Sequence, residues 1–196
     1  MKNNYNPAIG IAFYRFLTEK MHWRFYFDVD NGIIRTGCIV PDGIRISHLD
    51  IVVTIRDDGY DVETFSPIHL ESSATASAVL EFLSRSNACL NNHHFDVNWK
   101  EKKRIVTKYS VIAEKAPSDL IMLSSLQTGT RTFRLFEKGL IDVIDGAIPE
   151  EALEECLEHM EELINREIEE ALEELKDEDD GFFEFESDEF DSDLYS

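Results

Sequence analysis

Histidine and cysteine are the residue types in this chain that most readily bind a metal ion or act as nucleophiles. The sequence holds six histidines and three cysteines, and the densest group is Cys89, His93 and His94. Adjacent side chains on a strand point to opposite faces, so His93 and His94 do not readily share one ion. Zinc sites of the known types repeat Cys or His in close pairs, which this group lacks. The sequence therefore predicts no metal site and no cofactor.

The string Asp28-Val29-Asp30-Asn31-Gly32 has the acidic character of a calcium-binding loop. An EF-hand loop needs glycine at its sixth position and glutamate at its twelfth. Counted from Asp28, glycine falls at the fifth position and Ile39 at the twelfth. The pair Asn31-Gly32 is instead favoured in a type I′ turn, in which both central residues have positive φ. The string therefore predicts a hairpin turn rather than an ion site.

The sequence carries none of the common catalytic motifs. It has no Gly-x-Ser-x-Gly elbow, no Gly-x-x-x-x-Gly-Lys phosphate loop and no glycine-rich dinucleotide turn. We therefore predict a protein that is not an enzyme and has no catalytic residues. One alternative stays open, a small-molecule binder or enzyme whose site is assembled from scattered residues such as Asp50, Arg56, Glu63 and His69.

The charge of the chain is divided very unevenly along its 196 residues. Residues 1–148 contain 17 Lys and Arg against 18 Asp and Glu, a net charge of -1, and residues 149–196 contain 2 against 22, a net charge of -20. The densest basic segment, residues 100–104, places four cations on one hairpin tip, which is too small a surface for nucleic acid. We therefore expect no nucleic-acid partner, while an acidic inhibitor that mimics nucleic acid remains an alternative.

The acidic end divides into a helix and a tail. Apolar residues recur at steps of three and four between Leu153 and Leu175, which predicts an amphipathic helix over residues 149–176. Residues 177–196 mix aromatic and acidic residues without a folding period, which predicts a disordered tail. Aromatic anchors contribute strongly to protein interfaces. We therefore interpret the tail as a partner-binding segment whose contact residues are the four phenylalanines Phe182, Phe183, Phe185 and Phe190.

Three further features of the sequence concern its cellular compartment. The odd number of widely spaced cysteines argues against a disulfide framework. No stretch approaches the roughly 18 apolar residues of a membrane span. The first residues lack the apolar segment of a secretory signal. We expect a cytoplasmic protein that has no contact with a membrane.

The order of hydrophobic periods along residues 1–148 predicts the fold class. Alternation of large and polar residues indicates strands, and steps of three and four residues indicate helices. The elements are a helix over 7–20, strands over 23–29, 33–40, 49–55 and 60–65, a helix ending before Asn91, strands over 95–99 and 105–112, and a helix beginning near Asp119. This α-ββββ-α-ββ-α order predicts an α+β domain, an antiparallel meander sheet with helices packed on it, followed by the acidic helix.

Several strings within these elements resemble the YbjN family, whose domains have the type III secretion chaperone-like fold. They are residues 25–32 in the first hairpin, residues 52–60 in the next, and the helix Val79 to Asn87 that leads into His94-Phe95-Asp96-Val97. The resemblance covers roughly residues 9–148. It implies a non-enzymatic, protein-binding or chaperone-like regulatory domain of a bacterial protein, often a homodimer, and it implies no catalytic residues.

Overall fold

The computed structural model describes residues 5–40, 43–70, 73–100 and 102–179. Within these ranges the chain forms four α-helices, one π-helical turn and six β-strands. In chain order they are α1 Pro7–Arg15, the π-helical turn Phe16–Lys20, β1 Tyr26–Asp28, β2 Ile33–Ile39, β3 His48–Ile55, β4 Gly59–His69, α2 Ser73–Asn87, β5 His93–Asn98, β6 Arg104–Ile112, α3 Asp119–Ile144 and α4 Pro149–Asp179.

The strands form one antiparallel sheet in the order β1-β2-β3-β4-β6-β5. The first four strands are neighbours in sequence, as tight hairpins require. The hairpin of β5 and β6 joins the sheet by the pairing of β6 with β4. As a result, β1 and β5 lie at the two edges of the sheet. The predicted α+β class, with helices on an antiparallel sheet, is confirmed.

Alternation along the strands gives the sheet a helix-covered face and an open face. On the covered face, Phe13 of α1 meets Tyr60 of β4 edge-to-face, with ring centroids 4.9 Å apart. Phe95 of β5 lies between Phe133 and Phe136 of α3, at centroid distances of 5.5 and 5.7 Å. The main hydrophobic core therefore lies between the sheet and its helices.

The first hairpin closes differently from the prediction. Among the described residues Gly32 has a positive φ of 66°, but Asn31 does not, so the loop is not a type I′ turn. The carboxylate of Asp28 instead accepts hydrogen bonds from the backbone N–H of Asn31 at 3.2 Å and from its side-chain amide at 2.8 Å. These bonds stabilise a four-residue loop over residues 29–32, and only glycine adopts the left-handed conformation there.

The chain separates into two compact units, residues 1–157 and 158–196. In the first unit, the beginning of α4 buries Ala152, Leu153 and Cys156. In the second unit, α4 runs on to Asp179 and leaves Ile164 and Ile168 exposed. The predicted helix end at residue 176 and disordered tail over residues 177–196 differ from the structure at residues 177–179, which belong to α4. The rest of the predicted tail, with the proposed contact residues Phe182, Phe183, Phe185 and Phe190, lies outside the described residues. In the part of the chain that the structure describes, no helix combines the length and apolarity that a membrane span requires.

Candidate functional site

The most distinctive surface of the first unit lies at the β1 edge of the sheet. Tyr26 pairs with Arg35 and Phe27 with Ile34, which places Tyr26 on the open face and Phe27 on the covered face. By the same alternation Phe25 shares the covered face with Phe27. Along this edge, Phe25 and Phe27 therefore occupy the covered face and Tyr26 the open face.

A groove of about 960 Å³, which we name the edge groove, separates α1 and its π-helical turn from the segment that contains β1. Four apolar side chains in its lining are largely exposed, at 55% for Ile11, 50% for Tyr14, 63% for Tyr26 and 61% for Val29. The remaining lining residues are Arg15, Thr18, Glu19, His22, Trp23, Arg24, Phe25 and Phe27. Apolar residues gathered in this way are uncommon on a surface that contacts only water.

The backbone around the edge groove departs from regular geometry. The N–H of Met21 bonds to the carbonyl of Phe16 at 3.0 Å, the wide spacing of a π-helix. His22 then adopts a φ of 52°, in the left-handed region that non-glycine residues rarely visit. Both irregularities occur frequently at functional positions. Here they direct the chain from α1 back toward β1, so that the two elements form opposite walls of the groove.

Among the described residues, no strand pairs with the outer edge of β1, and the backbone groups on this edge can accept a partner. The carbonyl of Arg24 accepts a hydrogen bond from Thr36 Oγ1 at 2.9 Å, so it faces β2. Because the peptide groups of successive residues in an extended strand point to alternate sides, we expect those of Phe27 in β1, and of Phe25 just before it, to face away from β2. A strand edge of this kind can pair with another chain.

A second groove, of about 480 Å³, lies on the open face beside the same edge, and we name it the arginine groove. Its charged residues are Arg24, Arg35, Arg104 and Asp50. Arg104 is held in place because its guanidinium bonds to Asp50 at 2.8 Å and to the carbonyl of Ser66 at 2.8 Å. It also lies over the ring of Phe65, 5.3 Å from the centroid.

Arg24 and Arg35 are both exposed, and within the described residues neither forms a hydrogen bond or an ion pair through its guanidinium. Three arginines against one aspartate make the arginine groove positive on a chain whose net charge is -21. The two grooves share Arg24, Phe25 and Tyr26. They therefore meet along one strand edge. Phe25 lies on its covered face, and Arg24 and Tyr26 lie on its open face.

The structure separates the four residues that could have formed a scattered site. Asp50 lines the arginine groove and pairs with Arg104. Arg56 forms ion pairs with Asp58 and Asp61, at 3.2 and 2.6 Å, in the turn between β3 and β4. The remaining two have other neighbours, Lys108 for Glu63 and the carbonyl of Lys102 for His69. The described grooves contain only Asp50 of this set.

His93 and His94 point to opposite faces of β5, as strand alternation predicts. His93 Nε2 lies 2.7 Å from Thr132 Oγ1 of α3, and His94 is exposed on the open face. Partial burial, and to a lesser extent His94, lowers the pKa of His93, which favours a neutral imidazole beside α3. Among the described residues, no group of three His, Cys, Asp or Glu side chains could hold a metal ion.

The edge groove was not among the predicted sites, although the sequence contains a signal for it. Ile11 and Tyr14 fall outside the apolar stripe of α1, whose buried members include Ile9 and Phe13. Large apolar residues on the outer side of an amphipathic helix indicate a second contact surface. The helix pattern alone could not show that β1 lies opposite them.

No protein-family model and no curated protein matches this chain. Among solved structures, the chain is similar to the crystal structure of YbjN from E. coli, which is described as a candidate transcription regulator. The TM-score is 0.48 at 10% sequence identity, over 72% of this chain and 93% of that chain. The comparison names the family that the sequence strings resemble, and the likeness concerns the fold alone.

Proposed function

We propose that this chain is a non-catalytic protein-binding domain that holds an extended segment of a partner along the free edge of β1. The edge groove is the observation that carries this proposal. It combines exposed apolar side chains with a strand edge whose peptide groups face outward, and these are the two features that recognition by strand addition uses. Side chains of the partner would fill the groove while its backbone pairs with Phe25 and Phe27.

The proposal accounts for the aromatic composition of the groove. Tyr14 and Phe25 pack edge-to-face, 5.6 Å between centroids, and form a firm wall rather than a collapsed cluster. Aromatic residues bury a large area at a small entropic cost, so they are frequent anchors in interfaces. A partner residue inserted beside Tyr14 would remove several partly exposed rings from water.

A regulatory role in the cytoplasm of a bacterium belongs to the same proposal. A binding domain regulates its partner by holding it in the groove, and it does not convert a substrate. Cys38, Cys89 and Cys156 are free thiols, which is compatible with a reducing compartment. The acidic inhibitor that mimics nucleic acid stays a prediction that the described residues do not test.

Site-specific photo-crosslinking tests the proposal on the full-length chain. Benzoylphenylalanine would replace Tyr14 in the groove or, as a control, Leu120, which is 76% exposed on α3 outside both grooves. We expect position 14 to crosslink one defined segment of a partner, and Ile11→Asp in the same chain to abolish that product. Equal crosslinking from both positions, or a product unaffected by Ile11→Asp, would refute the edge groove as the binding site.

A further inference from the structure

The two grooves together specify the chemistry of the segment that this edge accepts. Resting on the proposed function, we infer that the segment alternates aromatic and acidic residues, and that it is supplied by residues 182–186 of a second copy of this chain. The inference depends on the period of two that any added strand must have. It also requires the two faces of the edge to carry different side chains. The covered face meets the apolar edge groove, and the open face carries the arginine groove.

A strand paired beside β1 would extend both faces of the sheet. Its side chains would alternate. One set would enter the edge groove beside Tyr14 and Phe25, and the other would lie on the open face next to Arg24 and Tyr26, with Arg35 on β2 one strand further in. Directly opposed cross-strand pairs lie close enough to interact. Aromatic residues are therefore favoured in the first set, and carboxylates are favoured in the second.

Within residues 182–186, Phe-Phe-Glu-Phe-Glu, the last four residues alternate in this way, and Phe182 precedes them. In an extended conformation Phe183 and Phe185 would share one face, and Glu184 and Glu186 the other. A carboxylate beside Arg24 or Arg35 would find a guanidinium that has no ion-pair partner among the described residues. The carboxylate of Asp28, which already binds Asn31, lies at the other end of β1 and would repel a second carboxylate. The acidic residues of the added strand are therefore expected at the Arg24 end of the edge.

Among the ways in which two copies could associate, charge favours contact between the acidic end of one and the arginine groove of the other. Residues 1–148 have a net charge of -1, so the part of the chain that forms the grooves does not repel the acidic residues 149–196, with their net charge of -20. Contact between two acidic ends would be strongly unfavourable, whereas contact between an acidic end and the arginine groove is attractive. The attraction weakens as salt screens it, over a Debye length of about 8 Å at physiological ionic strength.

The test measures binding of a fluorescent synthetic peptide of residues 181–190 to the full-length chain. The receptor carries Phe183→Ser and Phe185→Ser, which prevents its own segment from competing. We expect saturable binding that weakens at least about tenfold in Arg24→Glu/Arg35→Glu, because charges that meet at an interface control affinity. Arg134→Glu, an exposed arginine of α3 outside both grooves, is the matched control and should bind like the parent receptor.

Charge reversal on the peptide makes the test specific. A peptide with Glu184→Lys and Glu186→Lys should bind the parent receptor poorly and should recover binding to Arg24→Glu/Arg35→Glu. Recovery cannot result from a misfolded receptor, so it distinguishes recognition from loss of structure. Equal affinity of the two peptides for both receptors would overturn the inferred acidic pattern.

The outcomes separate this inference from the proposed function. If the Tyr14 crosslink identifies another protein and the 181–190 peptide does not bind, the edge groove stands and the second copy is excluded. If the peptide binds but Ile11→Asp leaves its affinity unchanged, the grooves are not its site and the inference fails. Analytical ultracentrifugation of the unmodified chain should show association that Phe183→Ser/Phe185→Ser abolishes, and a chain that stays monomeric at all concentrations contradicts the inference.

Discussion

Glu137 shows how one buried carboxylate can fix a loop in this protein. The side chain lies on α3, only 5% of the residue is exposed, and Oε1 accepts hydrogen bonds from the backbone N–H groups of Arg45 and Ile46, both at 2.7 Å. These bonds connect α3 to the segment that leads into β3. Hydrogen bonds to a charged acceptor are stronger than neutral ones, and buried donors left without a partner are costly.

We predict that Glu137→Ala lowers the free energy of unfolding by about 3 kcal/mol, because it removes both bonds and leaves two donors unpaired. Glu137→Gln retains an acceptor oxygen and should cost less than half as much. Urea denaturation measures both changes. The control, Glu154→Ala at an exposed position of α4, should stay within about 0.5 kcal/mol of the wild type. Similar losses for Ala and Gln would contradict the acceptor role.

His93 makes stability depend on pH. Burial and His94 lower the pKa of its imidazole in the folded chain below the ordinary unfolded value of about 6.5. The unfolded chain therefore binds more protons in the window below about 6.5, and the free energy of unfolding falls as the pH decreases through it toward the lowered folded pKa. The contribution of neutral His93 is fully present above this window.

The variant His93→Asn should flatten the dependence of unfolding free energy on pH across this window, although its stability at neutral pH will be lower. Denaturation series at several pH values provide the measurement. His48→Asn, at an exposed position at the start of β3, should retain the wild-type slope. A slope unchanged in His93→Asn would show that another group controls the dependence.

At the scale of elements, Gly129 sets the distance between α3 and the sheet. A Cβ at this position would collide with the side chain of Thr64 on β4 and lie 2.6 Å from Thr107 Oγ1 on β6. Both threonines are buried and β-branched, so neither can move aside without shifting a strand. Glycine is therefore required by close packing rather than by an unusual φ.

Replacing Gly129 with alanine should destabilise the fold by about 2 kcal/mol, the usual range for overpacking a core, despite the better helix propensity of alanine. Adding Thr64→Ala removes part of the collision, so the double variant should lose less than the sum of the two single changes. Thermal or urea unfolding of the four chains gives this coupling. Strictly additive losses would mean that α3 does not contact β4 at Gly129.

The sequence predicted those parts of the fold that depend on residues close together in the chain, such as strands and hairpin turns. The alternating residues after Trp23 and the turn residues between strands predict hairpins, because period and turn chemistry act over a few residues. The pairing of β6 with β4 could not be predicted, since it depends on how α2 carries the chain across the sheet. The closure of the first loop by Asp28 also required the structure, because an Asn-Gly pair fits several loop types.

The candidate site was harder to predict than the fold for the same reason. The phenylalanines near the end of the sequence attract attention because aromatic residues among acids are unusual, but they lie outside the described residues. The edge groove instead combines Ile11 and Tyr14 of α1 with Tyr26 and Val29 around β1. Only tertiary packing brings these two segments together. The sequence pattern can therefore indicate the exposed apolar residues of each segment, but not that they face each other across a groove.

For the molecule as a whole, the central claim is that a partner segment pairs with the free edge of β1. Amide hydrogen exchange of the full-length chain tests it most directly, with and without the segment that crosslinks at position 14. We predict that the amides of Phe25 and Phe27 exchange more slowly in the complex, because their N–H groups gain acceptors, while the amides of the opposite edge strand, β5, are unchanged. Unchanged exchange at Phe25 and Phe27 in a saturated complex would contradict the account.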